Sequence, residues 1–349
     1  MKIGSISSLI TRSYLDVNRR KKTLFLLGPS GVGKSEGIVS AKDAIAEQIG
    51  DPNFGFIDLR LAQMDPVEFG GVPSVTAEGR TRKNPPDWLP RPGTNGIILL
   101  DEITSAPPAM QAPAYQFTLD RKFGDTPLPD GWMVIAAGNR MSDRGVTYPM
   151  AAPLLARMTV VNVESNLDDF IDYCASKNVR GEIIAFLKSR PDYLNERDEN
   201  INTKISELPL GKPFATQRGW TSAAQYYLDD PAEDRGELLR GCIGDRAGAD
   251  LEAFLRIWQS MPSIDEIFKD PDSVPSPKDA ATRYAVAVGV SMRITNKNLD
   301  VAKKYLDRMT GEFSALAVKL AYKRDKTISE CDAFNKWVVE NPHLFKRGA

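Results

Sequence analysis

A chain of 349 residues, 42% hydrophobic and 26% charged, has room for two or three ordinary globular domains. Its formal net charge is −1, so no global field marks it for nucleic acid or for an anionic membrane. The single histidine, His343, and three scattered cysteines, Cys174, Cys242 and Cys331, argue against histidine general-base catalysis, a zinc site and a disulfide framework.

The first residues contain no apolar run long enough for a signal peptide. No 18-residue apolar span follows, so a cytoplasmic protein without membrane segments is expected. Residues 5–18 have helical apolar spacing (Ile6, Leu9, Ile10, Leu15) and lead into the basic run Arg19 to Lys22. "TLFLLG" predicts a short buried strand closed by Gly28, and "KSEGIVSAKDAIAEQIG" predicts a helix with a glycine cap. "FGFIDLRLAQ", "GIILLDE" and "GWMVIAAGN" predict three further strands, separated by helical segments. Such alternation predicts a parallel sheet covered by helices on both faces.

From about Leu167 every strong pattern is helical, from "LDDFIDYCASKN" to "CDAFNKWVVEN", and "DEIFKDPDSVPSPKD" is the most loop-like linker. Phe254, Trp258, Tyr284, Met292, Phe313 and Trp337 recur at helical spacing and are expected in the core. The expected organisation is an α/β nucleotide-binding core over 1–165, a helical lid over 166–232 and a C-terminal helical domain over 233–349.

The chemistry concentrates in the first of these. "GPSGVGKS", comprising Gly28, Pro29, Ser30, Gly31, Val32, Gly33, Lys34 and Ser35, fits G-x-x-x-x-G-K-[ST] between a strand and a helix. Its glycines let successive backbone N–H groups curl around phosphate oxygens, and the helix N-terminus adds partial positive charge. Lys34 suits the β- and γ-phosphates and Ser35 suits Mg²⁺; Lys34 is expected to be exposed and to pack against nothing. Asp101, at the end of "GIILLDE", is placed to hold Mg²⁺ through water, and Glu102 to polarise an attacking water. Two acids after a strand are also what caps a following helix. Asn139 ends the fourth strand, where a neutral amide either orients a water or simply makes a turn.

These motifs, in this order, resemble an AAA+ ATPase, and more closely its MoxR-like branch, over about residues 5–230. The segment "TYPMAAPLLARM" lies on that branch's T-Y-P-x-P-E-A-x-x-D-R-F, with Arg157 on the arginine and Ala152 and Ala156 in place of the usual acids. "LRLAQMDPVEFGGVPS" resembles the insertion in helix 2, and "DRKFGDTPLPDGWMVIAAGN" resembles the hairpin before the sensor-1 strand. "ATQRGW" resembles the sensor-2 element, with Arg218 on its arginine and Gln217 where proline is common.

The resemblance implies a P-loop NTPase fold of AAA+ type that binds ATP and Mg²⁺ in a homo-oligomeric ring, a hexamer by family habit. Lys34 and the loop bind phosphate, Ser35 and Asp101 hold Mg²⁺, and Glu102 and Asn139 handle water. Arg157 reaches a neighbour's γ-phosphate, with Arg144 as a second candidate, and Arg218 reports to the lid. It also implies chaperone-like remodelling of a protein client, often one with a von Willebrand factor A domain. The alternative is a nucleic-acid-associated motor or clamp-loader-like ATPase, which local basic loops such as "EGRTRKNPP" keep open.

Overall fold

The computed structural model describes residues 1–341 apart from 125, 144–146, 151, 178, 197 and 199–210. Its two compact units are Met1–Ser165 and Asn166–Ala349.

The first unit is an α/β fold built on one parallel sheet flanked by helices. Five parallel strands, β1 (Leu24–Leu27), β2 (Gly55–Arg60), β3 (Gly96–Asp101), β4 (Trp132–Gly138) and β5 (Thr159–Asn162), lie in the order β2-β3-β4-β1-β5. Residues of β3 explain why the sheet needs cover on both sides. Ile98 and Leu100 join Phe25, Phe69, Met110 and Phe117 in one core, whereas Ile97 and Leu99 join Ile6, Ile38 and Ala41 in another.

Three main helices supply that cover: α1 (Ile6–Leu15), α2 (Lys34–Ile49) and α3 (Pro108–Asp120). On α2 the buried positions Ile38, Ala41 and Ile45 form one stripe, and Gly50 ends the helix in the left-handed region. On α1 the buried Ile6, Ile10 and Tyr14 are four residues apart, and the Tyr14 hydroxyl donates to Gly131 O at 2.7 Å. Two small hairpins pair Pro73–Val75 with Thr81–Lys83 and Lys122–Phe123 with Thr126–Pro127.

The second unit contains helices and no strand among its described residues. Its principal helices are α4 (Leu167–Ser176), α5 (Gly181–Ser189), α6 (Gln217–Ser222), α7 (Ala232–Ile243), α8 (Asp245–Ser260), α9 (Ile264–Lys269), α10 (Ala280–Arg293), α11 (Leu299–Leu306), α12 (Gly311–Arg324) and α13 (Asp332–Glu340). Of the segment expected to be a loop-like linker, 265–279, the first part, 265–269, belongs to α9, whereas 270–279 carries no helix. The α9 N-cap Ser263 accepts from Glu266 N–H, and Ile267 is buried.

Two apolar clusters organise this unit. One joins Phe170, Phe186, Trp220, Leu239 and Phe254; the other joins Val286, Tyr305, Phe313, Phe334 and Trp337. Phe254, Phe313 and Trp337 are buried as expected, and Trp258 and Tyr284 pack against the clusters. Met292 is 37% exposed, which corrects its assignment to the core. Among the described residues no helix is long and apolar enough to cross a membrane.

Two glycines give opposite expectations. A Cβ on Gly28 would lie 2.6 Å from Val163 O, a backbone atom that cannot rotate away. Gly241, inside α7, has no neighbour within 4 Å of the equivalent position. Gly28→Ala is expected to lower unfolding free energy by about 1–3 kcal/mol through forced overpacking. Gly241→Ala should raise it by roughly 0.4–1 kcal/mol by restricting the unfolded chain. Urea unfolding followed separately for each unit tests both; equal effects would contradict the packing described.

Candidate functional site

Strand order decides which loops meet. Because β4 lies between β1 and β3, its C-terminal tip stands between the P-loop and the acidic end of β3. Ligands of open parallel sheets bind outside these carboxyl ends.

The P-loop leaves β1 at Gly28, whose N–H donates to Gly138 O at 3.2 Å. Gly31 and Gly33 adopt φ of 71° and 96°, a region that side-chain-bearing residues rarely enter. Lys34 then begins α2. It is only 8% exposed, and its Nζ donates to Gly28 O at 2.7 Å, Pro29 O at 3.0 Å and Asn139 Oδ1 at 3.1 Å. The expectation of an exposed, unpacked lysine is therefore wrong. An ammonium at a helix N-terminus meets partial positive charge and must find oxygen, so it folds back onto the loop.

Ser35 Oγ donates to Asp101 Oδ2 at 3.4 Å. The other carboxylate oxygen of Asp101 accepts the N–H of Glu102 at 2.9 Å. Glu102 is exposed, has φ of 56° and its carboxylate has no hydrogen-bond partner among the described residues. Its carbonyl accepts from Ser105 N at 2.8 Å and Ala106 N at 3.1 Å, which closes the turn that forces the left-handed backbone. Lys34, Ser35, Asp101 and Asn139 are thus brought together, with Glu102 beside Asp101.

Oxygen donors from a hydroxyl and a carboxylate suit Mg²⁺, which keeps several waters and takes further ligands from phosphate. Among the described residues no three His, Cys, Asp or Glu side chains are grouped to hold a metal on their own.

Sequence reasoning missed three supporting residues. Thr104, 5% exposed, accepts the Asn139 N–H through Oγ1 at 2.9 Å. Thr104 and Ser105, two hydroxyl residues in the turn after "LLDE", were the available signal. Arg140 Nη2 donates to Val163 O at 2.7 Å and so ties the tip of β4 to the exit of β5. Asp58, on the surface of β2, has its carboxyl held above the usual range, first by partial loss of water and then by the nearby charge of Asp101, while Arg60 at 3.6 Å opposes the shift.

Arg157 is exposed in the turn before β5, between the buried anchors Leu154 and Met158, and makes no ion pair among the described residues. Its N–H donates to Leu154 O at 2.9 Å. Arg144 lies outside the described residues. In the second unit Arg218 is exposed on α6, capped by Thr216, whose hydroxyl accepts from Gly219 N at 3.0 Å. Trp220 is wholly buried and donates to Tyr193 O at 2.8 Å, so Arg218 does not stack on it. The chain passes directly from α6 into a π-helical turn, Ala223–Tyr227.

No family model matches this chain, and no curated protein matches it. Among solved structures, NtrX from Brucella abortus in complex with ADP aligns at 14% identity and TM-score 0.37, covering 98% of this chain and 68% of that one. PCH-2 of C. elegans aligns at 13% identity and TM-score 0.32, covering 84% and 67% respectively. The fold assignment rests on strand order and the P-loop.

The raised Asp58 pKa carries a pH dependence with a definite sign. A carboxyl whose folded pKa exceeds its unfolded value favours the fold while protonated and loses that contribution as pH rises through the folded pKa. Asp58→Asn is therefore expected to stabilise the first unit at neutral pH. The gain should vanish as pH falls below the ordinary carboxylate range. Urea unfolding of wild type and variant across pH checks this; a gain that grew on acidification would contradict it.

Proposed function

We propose that this chain is a Mg²⁺-dependent ATPase of AAA+ type that works in a homo-oligomeric ring. The observation that carries the reading is the convergence of Lys34 and Asn139 at 3.1 Å and of Ser35 and Asp101 at 3.4 Å, outside the carboxyl ends of parallel strands. In this reading the loop from Gly28 to Ser35, including Pro29, Ser30 and Val32, presents backbone N–H groups to phosphate. Lys34 exchanges loop carbonyls for phosphate oxygens. Mg²⁺ would be held by Ser35 and Asp101 and would supply charge neutralisation on the phosphates. Glu102 takes the proton of a water that Asn139 orients.

Arg157, exposed between two buried anchors, is the group this chain offers to a neighbour's phosphate, with Arg144 next in line. Arg218 would report nucleotide state within a lid over 166–232, followed by a C-terminal domain over 233–349. The ring would be a hexamer whose cycle remodels a partner protein, with a von Willebrand factor A domain protein as the partner class implied by the MoxR-like resemblance.

One observation favours the nucleic-acid reading as a second possibility. Arg80, and Arg82 and Lys83 on the Thr81–Lys83 hairpin strand that follows it, are exposed and form no ion pairs among the described residues. Such cations suit phosphate-backbone contact. Stimulation of turnover by DNA or RNA, lost in Arg82→Ala and steeply salt-dependent, would favour it over the protein-client reading.

Lys34→Ala is expected to abolish measurable ATP binding, whereas Glu102→Gln should bind near normally and hydrolyse at least ~10²-fold more slowly. Asp101→Ala should lose the Mg²⁺ dependence of binding. Calorimetric titration and phosphate release separate these outcomes; wild-type affinity in Lys34→Ala would remove the site.

Arg157→Ala should leave nucleotide affinity intact and lower turnover by ~10³-fold or more, the scale of a finger supplied in trans. Mixing it with Glu102→Gln should restore activity at interfaces joining a sound site to a sound finger. Native mass spectrometry must first show mixed rings. Flat activity in such rings, with subunits known to fire independently, would pass the role to Arg144.

A further inference from the structure

We propose that Thr104 is a positioning residue that makes the tip of β4 and the Tyr148–Arg157 segment respond together to bound nucleotide. The inference rests on the ATPase reading above and adds to it a residue that touches neither phosphate nor metal.

Thr104 sits at the junction of three segments. The preceding residue is fixed to β4 by Ile103 N donating to Ala137 O at 3.0 Å. Thr104 Oγ1 accepts the N–H of Asn139 at 2.9 Å, while its own carbonyl accepts the N–H of Tyr148 at 2.7 Å. Its side chain is wedged against the strand: a Cβ on Gly138 would come within 2.7 Å of Thr104 Cγ2 and 2.8 Å of Oγ1. With glycine there the hydroxyl can approach closely enough to hold the next residue's amide.

The consequences follow from what each partner touches. Asn139 Oδ1 accepts from Lys34 Nζ, so a change in the lysine's partners acts on Asn139. Asn139 is held through its backbone by the Thr104 hydroxyl, and Tyr148 is held by the Thr104 carbonyl. Tyr148 opens the stretch that ends at the exposed Arg157. One residue therefore links the phosphate-facing lysine and amide to the segment offered to a neighbouring subunit. Valine at this position would retain the branched shape but could not accept, leaving a part-buried N–H without its partner.

The test compares the full-length wild type with Thr104→Val, Thr104→Ala and Thr104→Ser. Three readouts are taken: ATP affinity by calorimetry, turnover, and deuterium uptake of peptides covering 139–158 with and without ATP and Mg²⁺. Wild type is expected to change its uptake across 147–158 when ATP binds. Valine and alanine variants should keep affinity within about threefold, lose ~10- to ~10²-fold in turnover and lose most of that uptake change. Serine, which keeps the hydroxyl, should restore both. Alanine keeps the test decisive if the valine variant does not fold.

Wild-type turnover with a full uptake response in both non-hydroxyl variants would overturn the proposal. So would a serine variant as impaired as valine, since the methyl packing would then be what matters. A wild type that binds ATP without any change in 147–158 would overturn the coupling alone. A wild type that does not bind ATP would overturn the ATPase reading itself.

Discussion

The buried ammonium of Lys34 is the constraint around which the first unit is arranged. A cation at a helix N-terminus is opposed by the helix dipole and by loss of water, so it is stable there only with oxygen partners. The chain supplies them from two places: the P-loop carbonyls of Gly28 and Pro29, and the side chain of Asn139, more than a hundred residues later. The second source exists only because β4 is inserted beside β1. Sheet order, loop conformation and the lysine's environment thus depend on one another. On the proposed ATPase reading, phosphate oxygens would replace the same acceptors, so that a folded, self-satisfied loop stays ready to bind.

Precision at the site comes from small residues at the strand tips combined with large ones in the strand centres. Ile97 to Leu100 anchor β3 from both faces, while β4 ends in Ala136, Ala137 and Gly138. Gly138 admits the Thr104 side chain, and Gly28 admits the backbone of Val163. The apolar cores hold the tips in register, and the missing side chains let polar groups meet there. The strained backbone at Glu102 is held by the turn its own carbonyl closes.

The second unit uses polar groups differently. Tyr193 is wholly buried, yet its hydroxyl donates to Asp250 Oδ2 at 2.6 Å, and Arg190 and Arg246 lie over its ring at 4.6 and 4.9 Å. Burial and the Asp250 hydrogen bond push the Tyr193 pKa up to about 12, so it stays a neutral donor. Trp220, which follows Arg218 and Gly219, is fixed to the carbonyl of this same tyrosine. The exposed Arg218 therefore projects from a helix whose inward side is tied down.

The sequence alone determined the alternation of strand and helix, the P-loop, the acidic end of β3 and the amide at the end of β4. Each is a local property: hydrophobic period, a glycine spacing, or a polar residue closing an apolar run. It also determined that the second half is helical, although it treated the segment containing α9 as a linker, because Pro and Asp there outweighed a short capped helix. Only the tertiary structure decided that Lys34 is buried, that Asp58 feels the charge of Asp101, and that Thr104 holds both Asn139 and Tyr148. Those facts come from strands distant in sequence becoming neighbours in the sheet. Strand order is set by packing of the whole unit, and no local pattern of residues records it.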